Sequence, residues 1–238
     1  MTDIVSASGL TRTFGEGEAA VHALVGVDVA FPAGEFTAIM GPSGSGKSTL
    51  MHLLAGLDLP TSGSVVLDGV ELGSLDDNAL TELRRDKIGF VFQAFNLIPV
   101  LSAYENVILP LSIAGVDPDQ EWLDQLIDIV GIRDRLHHRP AELSGGQQQR
   151  VAVLRALASK PAVVFADEPT GNLDTANSAD ILTLLRRSVD EFGQTIIMVT
   201  HDDESAAHAD RLLVLRDGAI VEDRAASATS TATETAPA

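Results

Sequence analysis

"FTAIMGPSGSGKSTLMHLLAGL", residues 36–57, decides how the chain folds. Phe36 to Met40 form a near-continuous apolar run, which suits a strand covered on both faces. The last ten residues, from Ser48, carry apolar residues at helical spacing. Between them "GPSGSGKST", Gly41 to Thr49, fits G-x-x-x-x-G-K-[ST] at every position. A strand that runs through such a loop into a helix builds an anion site. Gly41, Gly44 and Gly46 free the backbone to turn its N–H groups inward, and the helix adds its positive end. The loop, with Pro42, Ser43, Ser45 and Thr49, is expected to cradle a nucleotide's phosphates. Lys47 would supply charge to the β and γ phosphates, and Ser48 a hydroxyl to Mg²⁺.

Working outward, four more runs read as strands: "SVVLD" at 64–68, "IGFVF" at 88–92, "AVVFA" at 162–166 and "TIIMVT" at 195–200. "SVVLD", followed by "GV" and polar residues, fits a small antiparallel sheet together with the segment around Ala23 to Phe31. Helical patterns alternate with the remaining runs, including "SADILTLLRRSVDEFG" at 178–193, which Gly193 would stop. A further helix is expected over 117–131, with Asp117 as its N-cap and Pro118 in its first turn. The resulting fold class is α/β: a P-loop NTPase core with a mainly parallel sheet, a small antiparallel β subdomain and a helical subdomain inserted at about 94–159. One phosphate loop implies one nucleotide per chain. Residues 1–224 form the expected domain, and the Ala/Ser/Thr-rich segment 225–238 reads as a disordered tail.

In an open parallel sheet, ligands bind beyond the carboxyl ends of the strands. Here those ends deliver the phosphate loop, Gln93, Asp167 with Glu168, and His201 to one edge. Asp167 is placed to hold the same Mg²⁺ as Ser48. Glu168, one residue further on, is the expected general base toward the attacking water. Gln93 can bind Mg²⁺ or that water through its amide oxygen, and His201 can donate to the γ-phosphate or hold Glu168. Phe14 can either stack on an adenine face or pack in the small sheet.

A second glycine-bearing stretch, "LSGGQQQR" at 143–150, also opens a helix and forms another anion-binding end. The bulk composition narrows the partners. Among 238 residues there are 34 acidic and 16 basic side chains, a net charge of -18, which disfavours nonspecific binding to nucleic acid or an anionic membrane. There is no cysteine, which excludes disulfides and cysteine-ligated metals. The amino terminus shows neither a basic n-region nor an apolar h-region, so the chain is expected in the cytosol.

The ordered set "GPSGSGKST", Gln93, "LSGGQ" (143–147), "VVFADE" (163–168), "GNLD" (171–174) and "THD" (200–202) resembles the ATP-binding subunit of ABC transporters over nearly the whole chain. "GFVFQAFNLIP", "ENVILPL" and "FADEPTGNLD" are similar to the MacB/LolD-like branch, which serves macrolide-export and lipoprotein-releasing permeases. Phe14 stands where that family more often has Tyr, and Asn172 where importer subunits more often have Ala. The resemblance implies a homodimer closed head to tail over two ATP molecules. Leu143, Ser144, Gly145, Gly146 and Gln147 would then address the nucleotide held by the partner, with Asp174 at the same seam. It also implies a polytopic membrane permease as partner, placing the chain on the inner face of the cell membrane. The apolar stretch at 94–107 would either receive a short helix of that permease or form the inside of the helical subdomain. A rival reading, an ATP-gated regulatory or scaffold subunit, leaves the catalytic residues expendable.

Overall fold

A computed structural model describes residues 2–226. The elements in chain order are β1 (Asp3–Phe14), β2 (Val21–Pro32), β3 (Phe36–Met40), α1 (Lys47–Leu54), β4 (Ser62–Leu67), β5 (Val70–Glu71) and α2 (Asp77–Lys87). Then come β6 (Ile88–Phe92), α3 (Ala103–Ala114), α4 (Gln120–Val130), α5 (Gly145–Leu157), β7 (Val163–Asp167) and α6 (Thr175–Phe192). The last are β8 (Thr195–Val199), α7 (Asp203–Ala206), β9 (Arg211–Arg216) and β10 (Ala219–Ala225).

Two sheets result. The larger has the order β10-β9-β3-β8-β7-β6, parallel from β9 to β6 with β10 antiparallel at its edge. The smaller, β2-β1-β4-β5, is antiparallel. The continuous apolar runs are explained by their two buried faces. Within β7, Val163 and Phe165 join a core shared with α1 and the small sheet, whereas Val164 and Ala166 join a core shared with α4, α5 and α6. This is the α/β P-loop NTPase architecture, with the small antiparallel sheet in its expected place.

All five expected strands are present, and "SVVLD" does lie in the small sheet. β1, β5, β9 and β10 were not read from the sequence. β1, "DIVSASGLTRTF", mixes apolar and polar residues because much of it faces solvent, so it has no continuous run. β9 and β10 form a hairpin around Asp217 and Gly218, whose φ angles of 49° and 77° are those the tightest hairpin turns require. Asp68 and Gly69, at 48° and 78°, repeat the device between β4 and β5.

Two boundaries are corrected. The helix expected over 117–131 begins at Gln120, and Asp119, not Asp117, is its N-cap, accepting from the Trp122 N–H at 3.1 Å. Either aspartate of "DPD" suits a cap locally. What selects Asp119 is the buried face Leu123, Leu126, Ile127 and Val130, together with Lys160, whose Nζ donates to Asp119 at 2.8 Å. At the other end, Ala225 belongs to β10 and the Ala226 N–H donates to the Asp210 carbonyl at 2.8 Å, so the segment expected as a tail starts inside the sheet. The rest of it, 227–238, lies outside the described residues.

Candidate functional site

The large sheet carries β3 into the phosphate loop, and the loop is tied down on three sides. The Gly218 N–H donates to the Ser45 carbonyl at 3.1 Å, and the Ser45 N–H to the Pro42 carbonyl at 3.2 Å. Gly46 sits at φ 101° against the Ala23 carbonyl, where no side chain would fit. Lys47 folds back, donating from Nζ to the Gly41 and Pro42 carbonyls at 2.8 and 3.0 Å. Helix α1 therefore starts at Gly46 with no side-chain cap, leaving its first N–H groups to whatever enters in front of it.

What lies in front is a cleft of about 990 Å³. Residues 41–44 and 46–49 line it, so eight of the nine loop positions face one space. Ser45 is the exception, buried at 3% exposure beneath the loop. Glu168 and His201 line the same cleft. Asp167 ends β7 opposite Phe92 and Val199, below that wall. Burial pushes its carboxyl pKa up, the neighbouring Glu168 adds to the effect, and His52 and Lys47 oppose it. A half-buried carboxylate facing such desolvation has the chemistry of a cation ligand.

Glu168 adopts a left-handed backbone, φ 47°, while its N–H donates to the Val199 carbonyl at 2.9 Å. A non-glycine residue held this way is typical of positions where geometry matters more than backbone ease. Its Oε1 is 2.8 Å from His201 Nδ1. That hydrogen bond, with the carboxylate's charge, raises the imidazole pKa above its ordinary value. Of the two roles open to His201, the structure displays the one that holds Glu168. The loops behind the pair are joined as well: Ser205 Oγ donates to Asp202 Oδ2 at 2.5 Å and lies 3.3 Å from Thr170 Oγ1.

Gln93 and Phe14 do not line the cleft. The Gln93 side chain reaches sideways to Asn172, with Nε2 donating to Asn172 Oδ1 at 3.1 Å. Phe14 ends β1 at the hairpin rim, 42% exposed, with the Arg12 guanidinium 4.5 Å over its ring. It pairs with Val21, and the cleft wall there is built by Val21, His22 and Ala23 of β2. Those residues, and His52 beside Asp167, were not singled out in the sequence. A register shift between Arg12 and Thr13 turns β2 at this point, and pattern alone does not reveal it.

The second glycine-bearing stretch lies elsewhere. Leu143 is buried in the helical core, and Ser144 caps α5. Ser144 Oγ accepts from the Gln147 N–H at 3.3 Å, and Gln147 Oε1 accepts from the Ser144 N–H at 2.9 Å, a closed capping box. Gly145 and Gly146 follow, and Gly146 is so close to the Asn177 carboxamide that a methyl group there would collide with it. Asn177 is in turn gripped by Asp174, the N-cap of α6, at 2.9 Å through its N–H and 2.7 Å through Nδ2. These bonds hold the Asp174 pKa below the usual carboxylate range. The starts of α5 and α6 thus share one surface. No residue of 143–147 reaches the cleft wall. Helix α5 lies on β6, three strands from β3, which at sheet spacing is roughly 14 Å sideways.

Known proteins resemble the chain in sequence and overall fold. Residues 24–171 match the family described as ABC transporter. An ABC transporter ATP-binding protein of Thermotoga maritima is 47% identical over 222 residues, covering 92% of this chain and 94% of that protein. The macrolide export ATP-binding/permease protein MacB of Bdellovibrio bacteriovorus is 44% identical over 233 residues, and the chain spans only 36% of its length. Among solved structures, the dimeric ATP-binding cassette MJ0796 in a post-hydrolysis state with ADP and Pi superposes with a TM-score of 0.84 at 42% identity, covering 94% of this chain and 99% of that one. The chain belongs to the ABC transporter family, as an ATP-binding cassette with MacB among its relatives.

Proposed function

We propose that residues 1–224 act as one ATP-binding domain, with 94–159 as its helical insertion, and that two copies close head to tail over two ATP molecules to hydrolyse them and drive a membrane permease. The observation that carries this reading is the division of the molecule into two anion-binding ends. One holds the phosphate loop, Glu168 and His201 in a single cleft, and the other, the start of α5, lies outside that cleft with the N-terminus of α6 beside it. The dimeric state described for MJ0796 supports the pairing, and the ATP-binding/permease name of MacB supports the membrane partner. Among the described residues no helix is long and apolar enough to cross a membrane. The stretch at 94–107, where Ile98 and Val100 are exposed, is the proposed contact for the permease.

In this reading residues 41–49 cradle the triphosphate, and Lys47 exchanges its carbonyl partners for β and γ oxygens. Glu168, held by His201, accepts a proton from water as the water oxygen bonds to the γ phosphorus. The bond from that phosphorus to the β–γ bridging oxygen breaks, and ADP and inorganic phosphate leave. Mg²⁺, when bound, neutralises charge on the phosphate oxygens. The Ser48 hydroxyl and the desolvated Asp167 carboxylate would hold it, with Gln93 joining once its side chain turns inward. Ser144 to Gln147 of one copy meet the γ-phosphate of the other, with Asp174 at the seam. Steady-state ATPase assays with the permease, alongside capture of the chain from detergent-solubilised membranes, test the proposal. Absence of any polytopic partner would contradict the transport role, and full biological activity of Glu168→Gln would favour a regulatory subunit instead.

A further inference from the structure

Asn172 stands in the loop after β7, where no role has been assigned to it. Its contacts are specific. Gln93 Nε2 donates to Asn172 Oδ1 at 3.1 Å, and Asn172 Nδ2 donates back to the Gln93 carbonyl at 3.0 Å. Two amides 79 positions apart thus clasp each other, one bond on the Gln93 side chain and one on its backbone. Gly171 makes the clasp possible, because a methyl group there would stand 2.7 Å from Gln93 Nε2 and 3.0 Å from its Cδ. The carboxamide that would serve the cation is therefore laid across Gly171, off the wall of the cleft.

We propose that Asn172 is a positioning residue that holds the Gln93 carboxamide out of the cleft, so that Mg-ATP binds fully only after Gln93 exchanges Asn172 for the metal and water. This rests on the nucleotide reading of the cleft. A group shared between two partners binds each more weakly, and the apparent affinity for Mg-ATP falls by the fraction of time Gln93 is free. The one exposed neutral hydrogen bond that the carboxamide itself makes sets that fraction at about one in three to one in ten. Metal-free ATP, which makes no use of Gln93, escapes the effect. The ratio of the two affinities isolates Asn172 from any general loss of structure.

The test is calorimetry on the hydrolysis-impaired Glu168→Gln protein, comparing Mg-ATP with metal-free ATP. Asn172→Ala should raise the Mg-ATP to ATP affinity ratio by about threefold to tenfold. Asn172→Asp keeps the acceptor for Nε2 but loses the donor, and should give a smaller rise. Gly171→Ala, which evicts the side chain by bulk, should act in the same direction. In a Gln93→Ala background the Asn172→Ala effect should vanish, as it must if it passes through Gln93. The Gln93 side-chain amide signal in nitrogen–proton NMR gives a readout independent of binding, and Asn172→Ala should move it toward its position in the Mg-ATP complex. A ratio unchanged or lowered by Asn172→Ala, or an effect that persists without Gln93, would overturn the positioning role alone. A wild-type chain that binds neither form of ATP would overturn the nucleotide reading with it.

Discussion

Helices α1 and α5 both start within glycine-bearing stretches and both point an N-terminus at a surface, yet they are finished differently. Helix α1 has no side-chain cap, starts from a left-handed Gly46, and opens into a walled cleft with Lys47 folded over its loop. Helix α5 caps itself through Ser144 and Gln147 and has no residue of its start in that cleft. An uncapped start leaves its first N–H groups to water or to an incoming anion, whereas a capped one has only part of its donor set to lend. In the proposed function this contrast becomes a division of labour, with α1 binding the nucleotide and α5 meeting it from across a dimer.

The contrast is sharpened most by a change at the chemistry itself. Glu168→Gln should lower ATP turnover by about 10²-fold or more while leaving ATP affinity nearly unchanged, as read by steady-state kinetics beside calorimetry. Lys47→Ala should weaken ATP binding by about 10²-fold, because it removes a charge-assisted partner of the phosphates. If Ser144→Ala weakened ATP binding to the isolated monomer as much as Lys47→Ala does, the distinction between the two helix ends would break. Instead Ser144→Ala should leave monomer affinity alone and cost about 1 kcal/mol of stability in denaturant unfolding, the usual worth of an N-cap.

The smallest expected effect concerns pH. His201 gains a proton more readily in the folded chain because Glu168 faces it, so its pKa is raised. The stabilisation this gives is complete below the ordinary histidine pKa and is lost as pH rises through the raised value. With the His201 side chain 73% exposed, the change in stability is slight, but ring-proton NMR should show the displaced titration and its return toward the ordinary value in Glu168→Gln.

How much of this was legible beforehand follows the range of the interactions. The phosphate loop, the strand ends and both helix starts were readable because each is written in consecutive residues. The Gln93–Asn172 clasp was not, since it joins two exposed amides from distant loops, and each alone resembles an ordinary polar surface residue. The β2 rim of the cleft escaped for a related reason: a register shift opposite Arg12 and Thr13 decides where His22 points. The β9–β10 hairpin could have been found, because Asp217 and Gly218 between two apolar runs are a turn signal in plain sequence.

Counting the ATP molecules trapped per mixed dimer in a Glu168→Gln background tests the division of labour most directly. One dimer pairs a Lys47→Ala chain with a Ser144→Arg chain, and the other pairs a chain carrying both changes with one carrying neither. If the start of α5 serves the partner's nucleotide, the first dimer concentrates both defects in one site and traps one ATP, and the second, damaged at both sites, traps none. One ATP trapped by the second dimer and none by the first would mean that Ser144 to Gln147 serve their own chain's cleft, contradicting the trans assignment.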